Sequence, residues 1–139
     1  MKQVKIWLVS LISFMVADYF WFGFVVTKFV QEKLAPISNL RADGSLNLSY
    51  SYGLVAYILM ATTVTVFVWP KIKNLSLAKA LVYSALAGVL IFGIYDFSVL
   101  AYAKYYPLSF AAEDIFWGLL TTSINGLVLK LLFKDSNLS

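Results

Sequence analysis

The sequence contains no cysteine and no histidine, and only 13% of its 139 residues are charged. The absence of cysteine excludes disulfides, zinc–thiolate sites and iron–sulfur sites, and the absence of histidine excludes an imidazole base. We therefore predict neither a cofactor nor a metal site. A soluble domain holds about 25% charged residues, whereas 61% of this chain is hydrophobic. The composition predicts an integral membrane protein that forms one domain at most.

Positive charge exceeds negative charge, with 11 Lys and Arg against 7 Asp and Glu. Basic residues beside apolar segments usually set membrane topology, so no nucleic-acid partner is predicted. With four spans, the two termini and the second loop lie on one side of the membrane, and the first and third loops lie on the other. The first side holds more basic residues, which predicts that both termini are cytoplasmic. The residues compared are Lys2, Lys5, Lys71, Lys73, Lys79, Lys130 and Lys134 on the first side, and Lys28, Lys33, Arg41 and Lys104 on the second.

Four charge-poor stretches are each long enough to cross the hydrocarbon core as a helix, which takes about 20 apolar residues. They cover residues 6–27, 50–69, 80–103 and 109–133. The first is too long for the apolar part of a typical signal peptide and lacks a small-x-small cleavage site, so we expect it to be retained. The sequence thus predicts an all-α, polytopic four-helix transmembrane bundle that forms a single domain over residues 1–139.

Three of these stretches contain an aspartate, although a charge in hydrocarbon costs at least about 2.5–3.5 kcal/mol. These residues are Asp18, Asp96 and Asp114. With a rise of about 1.5 Å per residue, all three lie roughly 18–24 Å above the cytoplasmic ends of their helices, in one layer of the outer half. Local explanations compete with a shared site. Asp114, with Glu113, can interact with a helix dipole, and the other two can form purely structural hydrogen bonds.

Helical spacing predicts which side chains accompany the acids. On the third helix it predicts a stripe of Ala85, Val89 and Gly93 that leads to Asp96. The fourth helix carries a polar and small stripe, typical of contacts inside a bundle. The resulting candidate pocket consists of Asp18, Trp21, Tyr57, Tyr95, Asp96, Asp114, Trp117, Thr121 and Asn125.

Aromatic residues fall into two groups by their depth in the predicted spans. Five lie at predicted membrane interfaces and are expected to serve as interfacial anchors. Trp21 and Trp117 lie deeper, beside the acids. They either stack on a ligand or cation or pack against other side chains of the protein. The expected anchors are Trp7, Trp69, Tyr102, Tyr105 and Tyr106.

Three short motifs occur in order along the chain, one each in the first, third and fourth stretches. They are Asp18-x-x-Trp21-x-Gly23, Tyr95–Asp96 and Asp114-x-x-Trp117–Gly118. The ordered set covers essentially the whole chain and resembles the uncharacterised bacterial membrane proteins of domain-of-unknown-function family 2177. The resemblance implies a bacterial inner-membrane protein with four spans. It implies no activity, because the family has none assigned.

Three functions remain open for these residues, and whether the protein is an enzyme is undecided. The first is a pocket on the outer-leaflet side that binds or modifies a lipid-like or small amphipathic ligand. The second is a proton-coupled small transporter that acts as a homodimer, although few polar residues continue below the acids. The third is a structural or assembly subunit in which the buried acids pair with a partner's basic residue or hold a divalent cation.

Overall fold

A computed structural model of the protein describes residues 1–45 and 47–133, which form helices and their connections. Lys134, which the topology prediction uses, and residues 135–139 lie outside the described residues. Six α-helices are numbered in chain order, and π-helical segments extend the first and the third. The elements are α1 (Lys2–Phe20) with the π-helical Trp21–Val25, α2 (Thr27–Leu34), α3 (Tyr50–Thr63) with the π-helical Val64–Val68, α4 (Trp69–Ile72), α5 (Leu77–Tyr102) and α6 (Leu108–Leu132).

Four continuous helical stretches are long and apolar enough to span a membrane. They are Lys2–Val25, Tyr50–Ile72, Leu77–Tyr102 and Leu108–Leu132. Most of the large side chains that face outward are apolar, which is the arrangement expected when lipid rather than water surrounds the helices. The all-α, polytopic prediction is therefore confirmed. We call the end of the molecule that holds α2 and the turn between α5 and α6 the outer side, and the opposite end the inner side.

The helices pack in the spatial order α3, α1, α6, α5. The last two run antiparallel and share the most extensive interface, while α1 packs against both α6 and α3. At the inner side, α4 also reaches α5 and α6 and links the two edges of the arrangement.

Small residues allow α5 and α6 to approach closely. A Cβ placed on Gly126 would overlap the Ser84 hydroxyl, and one placed on Gly88 would overlap the backbone of Gly118. The residues buried on α5 are Ala80, Ser84, Gly88 and Asp96.

The stripe predicted for α5 is therefore correct for Asp96 but not for its other three members. Ala85, Val89 and Gly93 are only partly buried, because the face that contacts α6 follows a strict spacing of four residues from Ala80. That spacing also includes Asp96.

Two apolar clusters hold the described helices together. The inner cluster joins α1, α4, α5 and α6 with the π-helical segment after α3, and the outer cluster joins α2 to the start of α6. The inner cluster consists of Ile6, Phe14, Val64, Val68, Trp69, Ile72, Ala80 and Leu129, and the outer one of Val26, Val30, Tyr106, Phe110 and Ala111.

Two of the five expected interfacial anchors lie in these clusters instead. Trp69 is only 7% exposed in the inner cluster, and Tyr106 is only 8% exposed in the outer one. Each packs edge to face against another aromatic ring, Trp69 against Phe133 and Tyr106 against Phe110. Tyr102 and Tyr105 are exposed, as an interfacial anchor requires.

Candidate functional site

The three aspartates lie at one depth, measured from the outer ends of the helices. Each is six or seven residues from the nearest outer end, which is Val25, Tyr102 or Leu108. At about 1.5 Å per residue these separations are all about 9–11 Å. We call the layer that contains Asp18, Asp96, Glu113 and Asp114 the acid layer.

Asp18 joins three helices at the acid layer. The indole Nε1 of Trp117, on α6, donates a hydrogen bond of 2.7 Å to Asp18 Oδ1. The Tyr57 hydroxyl faces the same carboxylate from α3. Three of the predicted pocket residues therefore lie together, because α1 packs between α3 and α6.

Trp21 and Trp117 stack on one another. Their ring centroids are 4.3 Å apart and their planes differ by only 6°. Trp117 is buried and Trp21 is partly buried. Each indole therefore uses one face for its partner, which leaves the opposite faces and edges for other contacts.

Asp96 is completely buried and accepts a hydrogen bond from the Tyr106 hydroxyl. Burial and the contact with Asp96 raise the pKa of Tyr106, so the phenol stays protonated and acts as a donor. The second carboxylate oxygen, Oδ2, is buried and has no hydrogen-bond partner. One carboxylate oxygen of Asp96 thus bonds the connection between α5 and α6, and the other oxygen has no hydrogen-bond partner.

The sequence predicted Tyr95 as a site residue beside Asp96 and did not predict Tyr106. Tyr95 is 61% exposed, whereas Tyr106 is buried and bonds Asp96. The available signal was the short Tyr105–Tyr106–Pro107 connection, which turns the chain back over the outer end of α5 and carries Tyr106 to Asp96.

Asp114 lies within electrostatic range of the other three acids, and Asp96 acts on it most strongly. Glu113 Oε1 is buried without a hydrogen-bond partner, and the Trp21 indole faces this side chain. Among the described residues, no Lys or Arg charge acts on any member of the acid layer. The layer therefore concentrates negative charge that the described part of the chain does not balance.

The acids are spread across the layer and do not converge on a point. In residues 1–45 and 47–133, no three acidic side chains are arranged to hold a metal ion. The arrangement is suited to accepting hydrogen bonds and attracting positive charge over a wider area.

The two remaining predicted residues lie deeper, toward the inner side. Asn125 is fully buried and clamps α6 to α1, since it accepts a 3.1 Å bond from the Ser10 hydroxyl and donates a 3.0 Å bond to the Ser10 carbonyl. Thr121 is buried with an unpartnered hydroxyl. Asn125 therefore has a structural contact, while Thr121 lies between that contact and the acid layer.

An apolar groove of about 630 Å³ runs along the surface between α1 and α6. It extends on α1 from Val9 to the π-helical Trp21 and Val25, and on α6 from Leu132 to Trp117. Ser13 is a small polar exception in the lining. The groove thus begins near the inner side and ends at the stacked tryptophans, beside the acid layer.

Comparison with known proteins gives one family. The family described as "Predicted membrane protein (DUF2177)" matches residues 3–130. No curated protein and no solved structure matches the chain.

Proposed function

Because the chain belongs to the DUF2177 family of predicted membrane proteins, we propose that it binds a lipid-like amphiphile in the bacterial inner membrane. The apolar tail of this ligand lies in the groove between α1 and α6, and its polar end lies at the acid layer on the outer side. We propose binding of this ligand and no chemical conversion of it.

One side chain carries the proposal because it belongs to both halves of the site. The Trp117 ring lines the apolar groove, and its Nε1 donates to Asp18 in the acid layer. Trp21 likewise lines the groove and faces Glu113. A ligand that filled the outer end of the groove would contact the same indoles that hold the acids in place. This arrangement suits a molecule with one apolar and one polar end.

The dimensions of the groove favour a long, thin occupant. Its volume of about 630 Å³ lies within the range of about 300–1,000 Å³ that is typical of ligand pockets. Its lining on the first spanning helix runs from Val9 to Val25, which is about 24 Å at 1.5 Å per residue. That length is close to the thickness of the hydrocarbon core, about 30 Å, and suits an alkyl or isoprenoid chain.

Binding from one side is favoured over transport by the composition of the interior. On the inner side of Asn125, the described core contains the inner apolar cluster, which includes Ile6, Ile72 and Leu129, and one buried hydroxyl, that of Ser84. A proton-coupled transporter needs access from both sides and polar groups along its path. One isolated hydroxyl is not a continuous polar path, so we propose a site that opens toward the lipid and binds the polar end of its ligand at the outer side.

The intrinsic tryptophans provide the test. In protein that carries Trp7→Phe and Trp69→Phe, the remaining indoles are Trp21 and Trp117. A single-chain amphiphile with a brominated tail quenches indole fluorescence on close contact. We expect saturable quenching in lipid nanodiscs, reversed by an unbrominated amphiphile.

Three further variants complete the test. Protein that carries Trp21→Phe and Trp117→Phe should show only gradual, non-saturable quenching, because buried Trp69 and Trp7, which bonds Thr62, lie outside the groove. Ala17→Phe fills the groove and should weaken binding about tenfold, whereas Ala101→Phe, on an exposed face of α5, should not. Identical, non-saturable quenching in all four proteins would rule out the groove.

A further inference from the structure

We infer that the ligand's polar end is an organic cation, such as an ammonium group, attracted by the acid layer. The inference rests on the proposed function, because it names the head group of the same ligand.

The interface between α5 and α6 keeps one register along its length. A Cβ on Gly126 would overlap Ser84, one on Gly88 would meet Thr122 Oγ1 at 2.8 Å, and one on Gly118 would meet the Phe92 ring at 2.5 Å. These three contacts advance by four residues on α5 and retreat by four on α6, while Gly88 also meets the backbone of Gly118.

The next step of that register places Asp96 opposite Asp114. The electrostatic influence of Asp96 on Asp114, stronger than that of any other charged group, agrees with this placement. Two carboxyl groups are therefore brought to the same end of the α5–α6 interface. When both are ionised they repel one another at low dielectric, and a nearby positive charge relieves that repulsion.

The acid layer also lacks the partners that a purely structural cluster would have. Asp96 is fully buried, yet its Oδ2 accepts no hydrogen bond, and the buried Oε1 of Glu113 is likewise unsatisfied. Within the described residues, no lysine or arginine acts on the four acids. Buried acceptors without a donor cost free energy, which a donor or cation from outside the chain would recover.

The geometry favours an organic cation over a metal ion. A hard divalent cation takes six or more oxygen ligands, and no three acids in the described parts of the chain are arranged to hold a metal. An ammonium group needs only a negative potential and a few acceptors, and it binds well to the face of an indole. Partly exposed Trp21 and the stacked Trp117 line the end of the groove, and Asp18 accepts the N–H at the edge of the Trp117 ring.

The experiment compares two competitors with the same alkyl chain and different head groups. Dodecyltrimethylammonium carries a cation, and dodecyl maltoside is neutral. Each is titrated against the bound brominated amphiphile in nanodiscs that contain the Trp7→Phe and Trp69→Phe protein. We expect the cation to compete at least about tenfold more strongly. Because this comparison uses a single protein, it does not depend on the folding of any acid-layer variant.

The acid-layer contribution is then measured with Asp114→Asn, using Glu32→Gln on the exposed face of α2 as the matched control. The preference for the cation should fall by about tenfold in the first variant and remain in the second. Equal competition by the two head groups would overturn the cation inference and leave groove binding intact. Failure of both to compete would overturn the proposed function itself. A preference that persists unchanged in Asp114→Asn would place its source outside the acid layer and also overturn the inference.

Discussion

Single side chains link the parts of this protein that sequence motifs leave separate. Trp117 joins the lipid-facing groove to Asp18, and Tyr106 joins the outer connection to Asp96. Both act through one polar atom on an otherwise apolar ring, which is how Trp and Tyr satisfy buried polar groups at low cost. Within residues 1–45 and 47–133, the site is therefore held by aromatic donors and not by a basic residue.

Tyr106→Phe should destabilise the protein. The substitution removes the donor to fully buried Asp96 and leaves both carboxylate oxygens without a partner, which costs about 1–3 kcal/mol. Unfolding in detergent, followed by far-UV circular dichroism, measures the effect. Tyr105→Phe is the control, since Tyr105 is 62% exposed, and it should change stability little. Equal stability of the two variants would show that the Tyr106–Asp96 contact is unimportant.

At the same scale, sequence reasoning identified the acids but not all of their partners. An aspartate within an apolar stretch is conspicuous in the sequence, because a charge in hydrocarbon is costly whichever way the side chain points. The choice between Tyr95 and Tyr106 depends on the path of the chain after α5. Tyr95 precedes Asp96 directly, but adjacent residues on a helix point about 100° apart, and it is Tyr106 that reaches the carboxylate.

At the scale of elements, the α5–α6 pair is the part of the fold that positions the acid layer. Its close approach depends on glycine at sites where a neighbouring helix leaves no room for a side chain. Because Asp96 and Asp114 lie on the same register, a change in the spacing of the two helices also changes the separation of the two acids.

Gly88→Ala should force the two helices apart. Its Cβ would overlap the backbone of Gly118, which cannot rotate away as a flexible side chain can, so we expect a loss of about 1–3 kcal/mol. Gly53→Ala provides a matched control in α3, where nothing lies within 4 Å of the added atom. Thermal unfolding in the same detergent compares the two. Equal stability would mean that the interface is looser than described.

Sequence predicted the existence of the four helices better than their facing. Length and lack of charge identify a spanning helix however it is rotated about its axis, because lipid surrounds the protein. Facing is harder to predict, since α5 has small residues on two adjacent stripes. Ala85, Val89 and Gly93 fit a helical spacing as well as Ala80, Ser84 and Gly88 do, and only the approach of α6 distinguishes them.

At the scale of the whole molecule, polarity changes from one side of the membrane to the other. The outer half contains the acid layer, and the inner half contains a closed apolar cluster. The family resemblance inferred from three motifs is confirmed by the match over residues 3–130. The position of both termini relative to the cytoplasm stays a prediction that depends on the distribution of lysine and arginine.

Single introduced cysteines can test this topology, because the natural chain contains none. Ala42→Cys lies in the connection after α2, and Asn74→Cys lies in the connection after α4, both at exposed positions. In intact bacterial cells, a membrane-impermeant maleimide should label the first variant and should label the second only after lysis. The reverse pattern would invert the orientation and place the acid layer on the cytoplasmic side.

The flat stacking of Trp21 on Trp117 also gives the protein an optical property of its own. Two indoles with centroids 4.3 Å apart and nearly parallel planes do not absorb independently, because their transition dipoles couple through space. The coupling falls steeply with distance, so we expect circular dichroism in the indole bands to be sensitive to the separation of α6 from the segment that extends α1. A change in the separation of Trp21 and Trp117 can therefore be followed without an introduced label.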